Sequence, residues 1–204
     1  ETLALEGRSG YYDHSGALKD MIQSHLLLVM ALLCMEEPNK IAERELRDLQ
    51  VHVLRATRVW NDDPIASSRR ARYTAGRIDE RDVPDYTAEP GVDAARNTET
   101  LAEVTVEVNS ARWHGVPIRL RSGKALGDGF RAITVVFKDA FQPEGFSNRA
   151  IPNVLVIAMS NESVQVRLNT NGADDKFTLE QTVLTADLGN SPVRPYGEIL
   201  AHIM

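Results

Sequence analysis

The chain has 204 residues, of which 43% are hydrophobic and 25% charged, with a formal net charge of -6 at pH 7. That size and composition suit a folded domain with a substantial core and exclude an intrinsically disordered or collagen-like chain. The acidic balance argues against nucleic acid and acidic membranes as partners, since both reward a basic excess. The single cysteine, Cys34, excludes an intrachain disulfide.

The first predicted element is a helix that opens near Ser15 and Gly16, after Tyr11-Tyr12-Asp13, and stops at Glu37-Pro38-Asn39, where proline disfavours helix in the residue before it. From Ala17 to Met35 nearly every position is apolar. Leu26 to Met35 falls far short of the roughly 20 apolar residues of a membrane crossing. It reads as a buried helix, with Cys34 packed inside it in a reducing compartment. Asp20, Gln23 and His25 interrupt this run, and polar groups in such a place cost free energy unless something satisfies them. At about 100° per residue, Asp20 and His25 stand roughly 140° apart around an α-helical axis. They either grip a ligand from two sides or face different neighbours. On residue type alone, a single histidine on an apolar helix is more often a core residue bonded to backbone than a ligand-binding group.

A second helix is expected over about 40 to 57, where Ile41, Leu46, Leu49, Val53 and Leu54 recur at helical spacing opposite Glu43, Arg44, Arg47 and Asp48. Residues 60 to 98 are rich in Asp, Pro, Arg and Gly and predict a long irregular connection, pinned to the body by Tyr73, Ile78 and Tyr86. Beyond residue 100 the period changes to two. Val104, Val106 and Val108 alternate with Glu103, Thr105 and Glu107, and the pattern returns at Ile133, Val135 and Phe137 and at Val164, Val166 and Leu168. Val154 to Met159 is continuously apolar and predicts a central strand buried on both faces. Val116 to Leu120 and Phe177 to Leu184 add two more strands, and 196 to 204 reads as the opening of another helix. Helices first and strands afterwards indicate an α+β fold: a large, mostly antiparallel sheet with helices packed on one face.

No Gly-x-Gly-x-x-Gly turn of the kind that brings a pyrophosphate to a helix start is present. Gly123-Lys124 and Gly127-Asp128-Gly129 fit a hairpin connection better than a phosphate loop. Arg119, Arg121, Lys124 and Arg131, opposed only by Asp128, form either a positive mouth for a small anion or a solvated strand face. Asn161-Glu162-Ser163 matches a glycosylation sequon, a coincidence in a cytosolic protein.

Four blocks together resemble the glucose-6-phosphate dehydrogenase family. They are Glu1 with Glu6-Gly7-Arg8 and Tyr11-Tyr12-Asp13; Gly16-Ala17-Leu18-Lys19-Asp20-Met21-Ile22-Gln23 with His25; Asn97-Thr98-Glu99-Thr100; and Arg112-Trp113-His114-Gly115-Val116-Pro117 with Arg121-Ser122-Gly123-Lys124-Ala125-Leu126. The resemblance implies residues 1 to 204 as a single C-terminal catalytic and oligomerisation domain, truncated at both ends, without the N-terminal dinucleotide-binding domain. It implies oxidation of glucose 6-phosphate at C1 with hydride passed to NADP, making 6-phosphogluconolactone in the cytoplasm. His25 matches the family's general base, a task that suits an imidazole because its ordinary pKa of about 6.5 lies close to working pH. Glu1, Asp20 and Lys124 match substrate-binding positions, two carboxylates for sugar hydroxyls and a point charge for the anion. In the family that the chain resembles, the carboxylate that orients the base lies in an earlier Asp-His-Tyr block, which is not among these 204 residues.

No coenzyme-binding residue and no metal ligand is expected here, so the isolated chain is expected to be inactive. A homodimer or homotetramer formed through the sheet, with no nucleic acid and no membrane, completes what the resemblance implies. Three positions depart from the family pattern: Ser24 in place of Asn, Gly129 in place of a second cation, and Ser160 near a usual Gln. Arg131 is a candidate to replace the missing cation. A non-catalytic sugar-phosphate-binding or regulatory paralogue is the alternative reading.

Overall fold

A computed structural model describes residues 9–127, 129–139 and 141–188. Glu1 and the helix expected over 196 to 204 lie outside them. The chain divides into two compact units, Glu1–Gly129 and Phe130–Met204, each described by itself.

The first unit begins with a helical rod in three parts. α1 covers Ser9–Ala17, a π-helix covers Leu18–Leu26, and α2 covers Leu27–Cys34. The expected start at Ser15 and Gly16 is corrected: helix already begins at Ser9, and Gly16, with φ 65° and ψ 173°, breaks it in mid-course. α3, Glu43–Ala56, follows within the expected range and opens with Glu43 and Glu45, whose charges suit a helix N-terminus. α3 leads into β1, Thr57–Val59.

The segment from 60 to 98 contains more order than its composition predicts. β2 (Ser68–Ala71) joins the sheet, and β3 (Gly76–Ile78) and β4 (Arg81–Val83) form a separate hairpin. Of the three expected pins, Tyr86 is buried and Tyr73 and Ile78 are half-buried, and the two tyrosine rings meet edge to face at 5.7 Å.

β5, Leu101–Val108, is the spine of this unit's sheet. β1 and β2 pair with it end to end along one edge, and β6, Ile118–Gly123, lies along the other, all antiparallel. Alternation puts Ala102, Val106 and Val108 into the core with Ile22, Met30, Ala31 and Cys34 of the rod, Val53 of α3 and Leu120 of β6. Each fully buried Val or Ile contributes about 1.5–3 kcal/mol. The odd-numbered face is held by cross-strand charge: Glu103 lies 3.9 Å from Arg119 and 3.8 Å from Arg121, and Arg58 donates to Glu107 at 2.7 Å.

The rod is less buried than its composition predicts. Leu28 and Leu32 are half exposed; α2 packs on α3, whereas the π-helix is the part of the rod that meets β5 and β6. The whole helical stretch, Ser9–Cys34, has 26 residues and is long and apolar enough by composition to cross a bilayer. It is also broken at Gly16 and packed on β5 and β6, as a core helix is.

The second unit is a four-stranded antiparallel sheet in the order β10-β9-β8-β7, formed by Ala132–Val136 (β7), Val154–Ala158 (β8), Ser163–Asn171 (β9) and Leu179–Asp187 (β10). β8 is central, as its apolar run predicts. Only Val156 and Ala158 are buried, however, so burial on both faces does not hold within this unit. β10 is exposed along almost its whole length. The α+β, antiparallel expectation is met, with the strands divided between two sheets and a hairpin rather than gathered in one.

Candidate active site

Gly16 and Glu99 decide where the site begins. At φ 65° Gly16 occupies a backbone region that side-chain-bearing residues rarely adopt, and a Cβ there would lie 2.6 Å from Oε1 of Glu99. The bend frees the amides beyond it. Ala17 N–H donates to the Glu99 carbonyl at 3.1 Å and Leu18 N–H to Glu99 Oε1 at 3.0 Å. A carboxylate from β5's leading edge therefore satisfies donors that a helix start leaves without partners.

The π-helix from Leu18 to Leu26 is wound with bonds five residues apart. Leu27 N–H donates to the Ile22 carbonyl, and the Ser24 hydroxyl donates to the Lys19 carbonyl at 2.8 Å. In an α-helix residues four apart lie above one another, whereas i→i+5 bonding brings residues five apart into line. Asp20 and His25 are five apart. The separation of roughly 140° expected from α-helical geometry does not apply to this winding, which brings the backbone positions of Asp20 and His25 closer around the axis. Asp20 is half-buried and accepts from the Tyr11 hydroxyl at 3.4 Å. His25 is exposed, and among the described residues none bonds either of its ring nitrogens. The core-histidine reading therefore fails.

Lys124 is buried, whereas Arg119 and Arg121, grouped with it in sequence as a positive mouth, are exposed. The lysine is 8% exposed, its ammonium sits 5.7 Å from the centroid of the Tyr12 ring, and its N–H donates to the Thr100 carbonyl at 2.9 Å. Arg119 and Arg121 face Glu103 instead of a ligand, and Arg131 belongs to the second unit, where its N–H donates to the Ser160 hydroxyl. Lys124 lines an open cleft of about 410 Å³ that also takes in Arg72, Tyr73, Arg77 and Leu126. Asp20 and His25 do not line that cleft. The described residues thus carry Asp20 and His25 on one π-helix and place Lys124 elsewhere, against the Tyr12 ring. Glu1 lies outside them.

Two further groups fix the rod from outside. Asp13 is buried, its Oδ1 accepting from the Tyr86 hydroxyl at 2.8 Å and its Oδ2 from Asp93 N–H at 3.1 Å, with Arg96 3.4 Å away. Burial pushes this carboxyl up, but the Asp93 amide, the Tyr86 hydroxyl and the Arg96 guanidinium together outweigh it and hold the pKa below the usual carboxylate range. The same contact raises the Tyr86 phenol, with burial the larger cause. At the far end, the Trp113 indole N–H donates to the Cys34 carbonyl at 2.9 Å, satisfying an acceptor that a helix C-terminus leaves open.

The family model for the C-terminal domain of glucose-6-phosphate dehydrogenase matches residues 1–204. The chain belongs to the glucose-6-phosphate dehydrogenase family. Among its curated relatives, the glucose-6-phosphate 1-dehydrogenase of Gluconobacter oxydans is 40% identical over 94% of this chain and 38% of its own length. That of Bacillus subtilis is 40% identical over 83% of this chain and 35% of its own length. The crystal structure of the Mycobacterium avium enzyme superposes with a TM-score of 0.76 at 29% identity, covering 92% of this chain and 39% of that one. A glucose-6-phosphate dehydrogenase in complex with its substrate glucose 6-phosphate superposes with a TM-score of 0.75 at 30% identity, covering 98% and 39%. The chain therefore spans about two fifths of the length of the family members it matches.

Glu99, Asp13, Tyr86 and Trp113 all stand within motifs or predicted pins, yet residue type and spacing do not reveal their roles. The one signal for Glu99 is an acid beside a strand start, together with a glycine inside an apolar helix.

Proposed function

We propose that this chain is the sugar-binding, base-bearing C-terminal part of an enzyme that oxidises glucose 6-phosphate to 6-phosphogluconolactone. The observation that carries the reading is that Asp20 and His25, five residues apart, both stand on a π-helix, a helix form that recurs at functional sites and is wound with i→i+5 bonds. His25 takes the proton from the C1 hydroxyl; its exposed ring is open to a sugar arriving from solvent. Asp20 accepts hydrogen bonds from sugar hydroxyls and fixes which carbon faces the base, and Glu1 and Lys124 complete the grip.

The coenzyme is a pyridine nucleotide, taken to be NADP, which accepts hydride when bound. The residues present do not fit it, since the sequence has no Gly-x-Gly-x-x-Gly and none of the described residues forms a glycine turn at a strand-to-helix junction, so no step of the chemistry is routed through this chain's contacts with it. We assign its binding to the part of the relatives that this chain does not span, and residues 1–204 to one C-terminal region. Val183 and Leu184 stand exposed on β10, which supports self-association through that sheet as a dimer or tetramer. The buried, reduced Cys34 suits the cytoplasm.

The test is turnover with glucose 6-phosphate and NADP. The 204-residue chain alone is expected to give none, and in the whole protein His25→Asn is expected to lower kcat about 10²- to 10⁴-fold. Wild-type turnover in that variant overturns the assignment.

A further inference from the structure

Glu99 is 8% exposed at the junction of the long loop with β5. Its main chain and side chain both bind the rod: the carbonyl accepts from Ala17 N–H and Oε1 from Leu18 N–H. Oε2 lies 3.7 Å from the Arg70 guanidinium on β2. Gly16 supplies the room, because any Cβ there would occupy the space of this carboxylate.

These contacts fall on the first residues of the π-helix that carries Asp20 and His25. Forming the first turn of a helix is its costly step and propagation then adds one bond per residue, so contacts at the start bear on how the helix is wound. If Leu18 loses its acceptor, the first turn is free to rewind with α-helical bonds. Positions five apart, Asp20 and His25 among them, then move further apart around the axis. The C-terminal end does not prevent this, because Trp113 holds only the Cys34 carbonyl of α2.

We propose that Glu99 is a positioning residue for the dehydrogenase reaction: by accepting from Leu18 N–H it holds the π-helix in the register that brings His25 and Asp20 closer around the axis. The proposal rests on the assignment of His25 as the base. Glu99 is engaged with the amides of Ala17 and Leu18 and with Arg70, so it acts through the backbone of residues 17 to 26. A negative charge at a helix start adds to the bond, but the acceptor atom is what sets the register.

The experiment is steady-state kinetics of the whole protein with glucose 6-phosphate and NADP, together with amide exchange across Leu18–Leu27, in Glu99→Ala, Glu99→Gln and His25→Asn. Glu99→Ala is expected to lower kcat about 10- to 100-fold, because a displacement near 1 Å at a reacting group costs that much. Its KM for NADP stays within about twofold, and exchange quickens in the π-helix while β5 and β6 stay protected. Glu99→Gln, which keeps an oxygen facing Leu18, restores kcat to within about fivefold.

Three results overturn the proposal: wild-type kcat in Glu99→Ala, equal damage in Glu99→Gln, or loss of protection throughout the fold together with kcat. Should Glu99→Ala not fold, Glu99→Asp, which draws the carboxylate back from Leu18, carries the same expectation and the same refutation. His25→Asn separates the two readings. If it leaves turnover intact, His25 is not the base, and quickened exchange confined to the π-helix still decides whether Glu99 sets the helix.

Discussion

The hydroxyl of Tyr86 donates to the carboxylate of Asp13 at 2.8 Å inside the first unit, tying the loop before β5 to the opening turns of the helical rod. Both groups are out of water, so neither has solvent to fall back on. Tyr86→Phe is expected to destabilise the chain by about 1–3 kcal/mol, the cost of leaving a buried acceptor short of a partner. Asp13→Ala is expected to cost more, because it also strips the Asp93 amide and leaves Arg96 without its inner partner. Urea unfolding of the two variants beside wild type measures both, and a smaller loss for Asp13→Ala than for Tyr86→Phe would contradict this ordering.

The same carboxylate makes stability depend on acid. Its folded pKa lies below the ordinary value of 3.8, so the ionised form is favoured by folding. That contribution is complete above the ordinary value and disappears as pH falls through the lowered one. Asp13→Asn is therefore expected to be less stable than wild type at neutral pH, with the difference narrowing below pH 3.8. Thermal midpoints recorded from neutral pH downward test it; a gap that widens in acid would be the wrong sign.

How much of this is legible in the chain depends on whether the deciding contact is local. The β5 alternation of Val104, Val106 and Val108 with Glu103, Thr105 and Glu107 announces a strand, because a period of two is written in neighbouring residues. The family blocks likewise mark Asp20, His25 and Lys124. The π-helix is not legible: apolar composition from Ala17 to Met35 is equally compatible with α-helical winding, and the capping carboxylate arrives from Glu99, 81 residues away. The burial of Lys124 is not legible for the same reason, since Tyr12, whose ring its ammonium meets, is distant in sequence. Arg119 and Arg121 look like a ligand site until the register of β5 with β6 puts Glu103 beside them.

Gly16 has no tolerance for a side chain on two independent counts. Its φ of 65° is strained for any residue with a Cβ, and that atom would approach Glu99 Oε1 to 2.6 Å. Gly16→Ala is expected to destabilise by about 1–3 kcal/mol from backbone strain alone. Displacing Glu99 then adds the loss of the Leu18 bond. Denaturant midpoints for Gly16→Ala and for the double variant with Glu99→Ala separate the two contributions. The double variant should cost less than the sum, since removing the carboxylate also removes the clash.

Cys34 offers a way to watch the far end of the rod open. Its thiol is 3% exposed, and burial pushes its pKa from 9.0 to about 11. The thiolate is the reactive form, so two pKa units leave about 100-fold less of it near pH 8 than an ordinary cysteine has. Folded protein is expected to resist alkylation until the helix end detaches. Trp113 covers that end with the indole N–H that meets the Cys34 carbonyl. Trp113→Phe removes this bond and is expected to quicken alkylation at least about tenfold, in line with roughly 1.5 kcal/mol of lost hydrogen bonding. Glu99→Ala, acting on residues 17 and 18, is expected to leave the rate much closer to wild type. Equal acceleration in both variants would mean that the rod opens as one body, and that the separation of its two anchors is wrong.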